Sequence, residues 1–293
     1  MLFNTFAPWK FAFSQETSDL EDINTQSAWG IIGAPFDSTC TYHNGSRYAP
    51  IIIREASYGF EKYNTSLNKE LNTIFYDFGD TNIVFGNCEK TCEILEENIH
   101  DILNENIKPI LIGGEHSLTL APIKALNTYY PINNMTIVHI DAHSDMIDTY
   151  QGEKYSHATI MRRIHELNPK EIIQIGVRSQ SKEENEYIKN QENIKTFLVE
   201  DVNNSLFEYL NSIENPIYLT IDMDGLDPSI APDVGNPTPN GLNINHIFKL
   251  IELLGKKDNI IGLDVMEVAT KELGNITGIL ASKLIIDFLT LQK

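Results

Sequence analysis

From Trp29 onward the chain alternates short runs of β-branched and apolar residues with longer segments of helical period. That alternation is the pattern of βαβ units around a parallel sheet. The apolar runs predict strands at 28–33, 73–77, 108–112, 135–140, 172–176, 194–199, 216–221 and 260–264. Most are apolar at consecutive positions, as strands covered on both faces are. Between them, a helix over 89–104 sets Leu95, Ile99, Ile102 and Leu103 on its inner side and Glu93, Glu96, Glu97 and Asp101 on its solvated side. Ser181 followed by Glu184 is a capping-box pattern. Asn243 caps a helix whose Ile244, Ile247, Ile251 and Leu254 share a face, with Gly255 as its stop. A last helix over 276–291 is apolar nearly all round and is expected to be buried, a neighbouring subunit being one candidate cover.

The first residues break this pattern. Phe3, Phe6, Trp9, Phe11 and Phe13 follow no period, so 1–25 reads as an N-terminal arm packed on this or a neighbouring subunit, and 26–293 as a single domain. A chain of 293 residues is within reach of one α/β core. No internal repeat or low-complexity linker interrupts it.

Charge narrows the partners. With 22 Lys and Arg against 41 Asp and Glu, the formal charge of −19 repels phosphate backbones and anionic lipid and attracts cations, so nucleic acid and membrane are not expected partners. The chain shows neither an uninterrupted apolar span of membrane length nor the start of a secretory signal, and it reads as cytoplasmic. Cys40, Cys88 and Cys92 lack the spacing of a disulfide framework and are expected as free thiols.

Parallel sheets place ligands beyond the carboxyl ends of their strands. Here those ends are polar: "GGEHS" follows 108–112, "DAHSD" follows 135–140, "DMDGLDPS" follows 216–221 and "DVMEV" follows 260–264. If the chain stays extended there, alternation points Asp141, His143 and Asp145 one way, and likewise Asp222 and Asp224. With His116, placed after two glycines that allow a tight turn, six candidate ligands converge from three strand ends. So many carboxylates in one pit would repel one another strongly, and no Arg or Lys within these motifs offsets them. Divalent cations would. Carboxylates with two imidazoles and no thiolate suit Mn²⁺ or Fe²⁺ better than structural zinc. Six such ligands can hold two ions about 3.5–4 Å apart with a water between them. His139, inside the apolar run, reads as a core histidine.

These motifs, "GGEHS", "DAHSD", "SHAT" and "DMDGLDPS", resemble those of the ureohydrolases, the binuclear manganese enzymes that include arginase and agmatinase. The resemblance extends from "GAPFD" at 33–37 and "NGSRYAPIIIR" at 44–54 through "DFGD" at 77–80 to "DVMEV" at 264–268. It implies the arginase-like three-layer α/β/α fold with a mostly parallel sheet of about eight strands, and a homo-oligomer, trimer or hexamer. It implies two Mn²⁺ per subunit on His116, Asp141, His143, Asp145, Asp222 and Asp224, with Asp141 and Asp224 among the bridging ligands. His157 matches the active-site histidine and Glu267 the acid that holds a guanidinium, while Asp145 gains a catalytic role beside ligation. The implied substrate is a small cationic guanidino compound, cleaved to urea and an amine.

Agmatine is the expected substrate, giving urea and putrescine. The Ser- and Asn-rich stretch with which arginases hold an α-carboxylate is absent; "MIDTYQGEKYSHAT" at 146–159 resembles agmatinases and brings Asp148 and Glu153 to the expected mouth. "APDVGNPTPNGL" at 231–242 and "EVAT" depart from the family's common wording and leave arginase, guanidinobutyrase and formimidoylglutamase as alternatives. A dimetal phosphoesterase would call for Arg or Lys in the motifs, and a mere metal-binding protein would not need Glu267 or His157. Arg178 in "GVRS" also matches a family position, but a buried structural ion pair accounts for it equally well.

Overall fold

The apolar runs become strands and the amphipathic segments between them become helices. The computed structural model describes residues 5–6, 9–17 and 28–292. In chain order the first elements are β1 (Thr5–Phe6), β2 (Ala28–Ala34), α1 (Ala49–Ser57), the antiparallel pair β3 (Tyr63–Asn64) and β4 (Lys69–Glu70), β5 (Phe75–Thr81) and α2 (Cys88–Asn104). Next come β6 (Ile107–Gly113), α3 (Leu120–Asn127), β7 (Thr136–Ile140), α4 (Ile160–His165), β8 (Glu171–Ile175), α5 (Lys182–Lys189) and β9 (Ile194–Phe197). The chain closes with α6 (Asn204–Asn211), β10 (Ile217–Asp222), α7 (Ile244–Gly255), β11 (Ile260–Met266) and α8 (Ile276–Leu291). The largest shift from expectation is β5, predicted at 73–77. Its polar end, Gly79 to Thr81, breaks the apolar count, yet the backbone goes on pairing with β2 as far as Asp80.

The main sheet runs β1-β5-β2-β6-β11-β10-β7-β8-β9. Its eight longer strands are all parallel, and only the short β1 joins antiparallel, on β5. Helices α1, α6, α7 and α8 cover one face and α2, α3 and α4 the other, completing three layers. Alternation along β6 shows the division: Ile110 and Ile112 enter one core and Leu111 the other. The four adjacent central strands β6, β11, β10 and β7 all point the same way, so the residues after them meet at one edge of the sheet.

Capping follows the sequence. Glu184 N–H donates to Ser181 Oγ while Ser181 N–H donates to Glu184 Oε2, and Asn243 Oδ1 accepts from the N–H groups of Asn245 and His246. Two details of α7 differ. Ile244, in its first turn, is 38% exposed, so the buried stripe begins at Ile247, and Gly255 is the last helical residue rather than the stop. The apolar α8 is buried by its own chain, against α1, α7 and the β2 residue Trp29, whose ring meets Phe288 edge-on at 5.0 Å.

Of the aromatic residues of the first segment, Phe3 and the Phe6 side chain lie outside the described residues. Phe11 is buried, edge-on to Phe75, whereas Trp9 is 42% exposed. Phe11 N–H donates to Asp77 Oδ2, and Asp77 and Asp80 together hold the buried guanidinium of Arg54 on α1. The "IIIR" and "DFGD" stretches are thus one ion cluster joining α1, β5 and the segment before β2. All three cysteines are free thiols.

Candidate active site

Each central strand delivers its polar residues by a local turn. After β6, a Cβ on Gly114 would lie 1.8 Å from the Phe36 carbonyl oxygen, so this glycine is required by close backbone approach rather than by a tight turn. After β7, Asp141 Oδ1 accepts the His143 N–H at 2.6 Å, and after β10 Asp222 Oδ1 accepts the Asp224 N–H at 2.8 Å. Both are Asx turns, which bring side chains two apart to one side. Asp145 has φ 54°, in the left-handed region. The acids therefore converge through turns, not through the extended alternation inferred from sequence.

His116 Nδ1 lies 3.2 Å from Asp141 Oδ2, 3.3 Å from Asp145 Oδ2 and 3.1 Å from Asp222 Oδ2. His143 Nδ1 lies 3.4 Å from Asp141 Oδ1 and 3.0 Å from Asp224 Oδ2. Asp141 thus puts one oxygen into each of two groups, as a bridging ligand should, whereas Asp224, also expected to bridge, stands only with His143. The buried His116 Nδ1 makes no hydrogen bond, while its Nε2 is engaged by Thr220 Oγ1 at 2.8 Å. Such an orphaned nitrogen facing three carboxylate oxygens fits a cation, because ligand atoms about 2.1 Å from one octahedral ion lie about 3 Å from each other. Carboxylate oxygens with imidazole nitrogens are a donor set for a hard or borderline divalent ion.

The ionisation balance agrees. Burial, then the neighbouring Asp141, pushes Asp145 up to about 7. Burial and Asp224 hold Asp222 well above the carboxylate range. Against the same burial, the imidazoles of His139, His116 and His143 hold Asp141 well below it, and despite its own burial His143 is pushed up to about 12, chiefly by Asp224. Without added positive charge these acids cannot all ionise together.

A cavity of ≈ 250 Å³ opens onto this cluster, lined by His143, Asp145, Asp222, Asp224, His157 and Glu267, with Thr41, Tyr150, Gln180, Glu184 and Asn236 among its other walls. None of the described residues lining it is Lys or Arg. Glu267, directly after β11 with φ 64°, accepts the His116 N–H at Oε1 and the Ser46 hydroxyl at Oε2. Burial, then the nearby buried Glu115, raises its carboxyl to about 8. His157 opens the turn before α4, its ring against Thr39 on one side and edge-on to Tyr150 on another. Burial, followed by the charges of His143 and His116, lowers it to about 4.

Asp148 does not reach the cavity. It is 56% exposed and its carboxylate pairs with Arg163 Nη2 at 2.7 Å, while Glu153 is exposed in a turn with Tyr150. The acid that does reach the wall from this side is Glu184, read from sequence only as a helix cap. Its carboxylate also accepts the Ser144 hydroxyl and the Met146 N–H.

Several contributors escape a pattern reading. His139 is fully buried, as a core histidine would be, but its Nε2 donates to Asp141 Oδ2 at 2.7 Å and so orients that ligand. Its i, i+2 spacing from Asp141 was the available signal. Ser46 and Glu115 lie in quoted motifs and Thr39 two residues beyond one, yet nothing in their spacing announces contact with His157 or Glu267. Arg178 forms no ion pair among the described residues; its guanidinium donates to carbonyl oxygens of Gly176, Asp224, Gly225, Leu226, Thr238 and Pro239, clamping the loop that carries Asp224.

Comparison with known proteins places this geometry. The arginase family model matches residues 27–290. An uncharacterized 32.2 kDa protein of Methanothermus fervidus is 44% identical over 283 residues, 96% of this chain and 97% of that protein. The N(1)-aminopropylagmatine ureohydrolase of Thermococcus kodakarensis is 35% identical over 283 residues, 94% of this chain and 96% of the enzyme. Among solved structures, the agmatine ureohydrolase of Thermoplasma volcanium superposes with a TM-score of 0.82 at 31% identity, covering 98% of this chain and 95% of its own.

Proposed function

The chain belongs to the arginase family, a hydrolase of linear amidine C–N bonds, and we propose that it cleaves agmatine to urea and putrescine. The observation that carries the proposal is Glu267: a buried carboxylate on the wall of a cavity with no Lys or Arg among its described lining residues, beside the acid cluster. A guanidinium is the cation that a carboxylate binds with two parallel hydrogen bonds.

His116, Asp141, Asp145 and Asp222 would hold one divalent ion and Asp141, His143 and Asp224 a second, with Mn²⁺ as our choice. Bound there, such ions supply Lewis acidity and lower the pKa of water toward neutrality. Glu267 holds the guanidinium with its carbon toward the cluster. Water attacks that carbon, and the bond to the alkyl nitrogen breaks. Asp145 takes a proton from the attacking water and passes it to the leaving amine. His157 carries protons between the cavity and solvent or bonds the urea oxygen.

The cavity wall supports an amine-ended substrate. Glu184 is a second acid on it beside the cluster and Glu267, and no described lining residue offers a guanidinium or ammonium for the carboxylate of arginine, 4-guanidinobutyrate or formiminoglutamate. The chain's charge of −19 favours encounter with a dication. The absence of wall cations also disfavours phosphate esters, and a protein that only stored metal would have no use for Glu267. From the family resemblance we read it as a cytoplasmic homo-oligomer; no described helix is long and apolar enough to cross a membrane.

Urea release from a panel of these compounds, N(1)-aminopropylagmatine and a phosphate ester decides the matter. Agmatine should lead the carboxylate-bearing guanidines in kcat/KM by at least about a hundredfold, the scale of an unpaired polar group in a buried site. An equal or better value for arginine would replace the substrate, and preference for N(1)-aminopropylagmatine would extend its tail.

A further inference from the structure

We propose that Glu115 and Thr39 hold the ring proton of His157 on Nδ1, so that the unprotonated Nε2 is the nitrogen offered to the cavity. Glu115 is fully buried, and its carboxylate accepts from the Thr39 N–H at 2.7 Å, the Thr39 hydroxyl at 2.7 Å and the Ser117 hydroxyl. Three donors converge on a group that, ionised, can only accept. Thr39 Oγ1 has one hydrogen, and it is spent on Glu115. Its two lone pairs remain, and both further contacts come from His157: the backbone N–H at 3.2 Å and ring Nδ1 at 3.2 Å. A hydroxyl that has given its hydrogen away can meet Nδ1 only as an acceptor, so Nδ1 carries the proton.

The consequence is chemical. A neutral ring protonated on Nδ1 can accept a proton at Nε2 and return it, whereas the opposite tautomer could only donate there. The relay joins three separate segments, the loop after β2, the end of β6 and the turn before α4. Thr39 and Glu115 are positioning residues, since they act through His157. The inference rests on the reading of His157 as a working group of the proposed reaction.

Side-chain ¹⁵N NMR of the full-length chain, loaded with diamagnetic Mg²⁺ and with His157 assigned by substitution, reads the tautomer directly. Nδ1 should show the protonated shift and Nε2 the unprotonated one. Thr39→Val keeps the shape and removes the hydroxyl. It should populate the Nε2-protonated form and lower kcat for urea release by at least about tenfold with KM nearly unchanged, within the range of lost general acid–base assistance. Thr39→Ser should restore both readouts, and the pH profile of kcat should move in the valine variant alone. A wild-type ring protonated on Nε2, or a Thr39→Val ring and turnover like the wild type's, would overturn the relay. The wild-type spectrum decides the tautomer even if the valine variant folds poorly. A ring protonated on Nδ1 in a chain that releases urea from no guanidine would keep the relay and remove the proposed function instead.

Discussion

The carboxylate of Glu267 accepts the backbone N–H of His116 at 2.8 Å, across 151 residues of sequence. A second bond runs the other way, from Glu267 N–H to the Gly114 carbonyl at 3.0 Å. Both extend the parallel pairing of β6 with β11, in which Leu263, Asp264 and Val265 face Ile110, Leu111 and Ile112. The group proposed to hold the substrate's cation is therefore fixed to the backbone of a candidate metal ligand by the sheet itself. Substrate and metal cluster share one rigid frame.

That relationship predicts separable roles. Glu267→Gln keeps shape and one accepting oxygen but loses the charge facing the guanidinium. Metal content should stay at the wild-type level while kcat/KM for agmatine falls at least about a hundredfold, ~3 kcal/mol for a lost charge-assisted contact. Elemental analysis beside steady-state urea release checks it; lost metal with an intact specificity constant would reverse the assignment.

The same substitution should stabilise the metal-free protein at high pH. Burial, then Glu115, lifts the Glu267 carboxyl from an ordinary 4.5 to about 8, so the folded state binds this proton more tightly than the unfolded chain does. The resulting stability is fully present below the unfolded value and is lost as pH rises through about 8. Glutamine does not titrate. In chelated samples the melting advantage of Glu267→Gln over wild type should be larger at about pH 9 than at about pH 5. A gap that fails to widen would show that the carboxyl is not raised.

Metal retention should distinguish the shared acid from the unshared one. Asp141 offers an oxygen to each histidine, whereas Asp224 stands with His143. Against about two Mn²⁺ per wild-type chain, Asp224→Ala should keep roughly one and Asp141→Ala fewer, each with little urea release left. Chelation should silence the wild type and added Mn²⁺ revive it. Equal stoichiometry in all three proteins, read by elemental analysis, would refute the two-group arrangement.

Arg54 should matter to stability and not to chemistry. Its buried guanidinium is held by Asp77 and Asp80. Arg54→Ala leaves two buried acids without their cation, a loss of about 3–5 kcal/mol for a broken buried pair. A denaturant midpoint unchanged from wild type would contradict this, while kcat of the folded fraction should stay near normal.

Much of this molecule was legible in its sequence, and the limits of that legibility fall at particular residues. Period and capping located the helices and strands because both are local: Ser181 and Glu184 cap each other within one turn. Strand-end acids were found because parallel strands bring all their carboxyl ends to one edge. Asp148 misled, since an exposed acid takes whichever cation lies near, and Arg163 on α4 holds it at 2.7 Å. His139 looked like a core residue and is one, but the same burial lets it hold Asp141.

By itself the sequence determined which segments form strands and helices, which of them carry carboxylates and imidazoles at their ends, and the family to which those motifs point. Only the tertiary structure decided who meets whom: that β6 and β11 lie side by side and tie Glu267 to His116, that Asp145 turns inward through a left-handed backbone, and that Thr39, Glu115 and His157 converge. The reason is physical. Periodicity records the face a residue presents within its own element. The neighbours on that face depend on the strand order β6-β11-β10-β7, which packing of the whole sheet selects and no local pattern encodes.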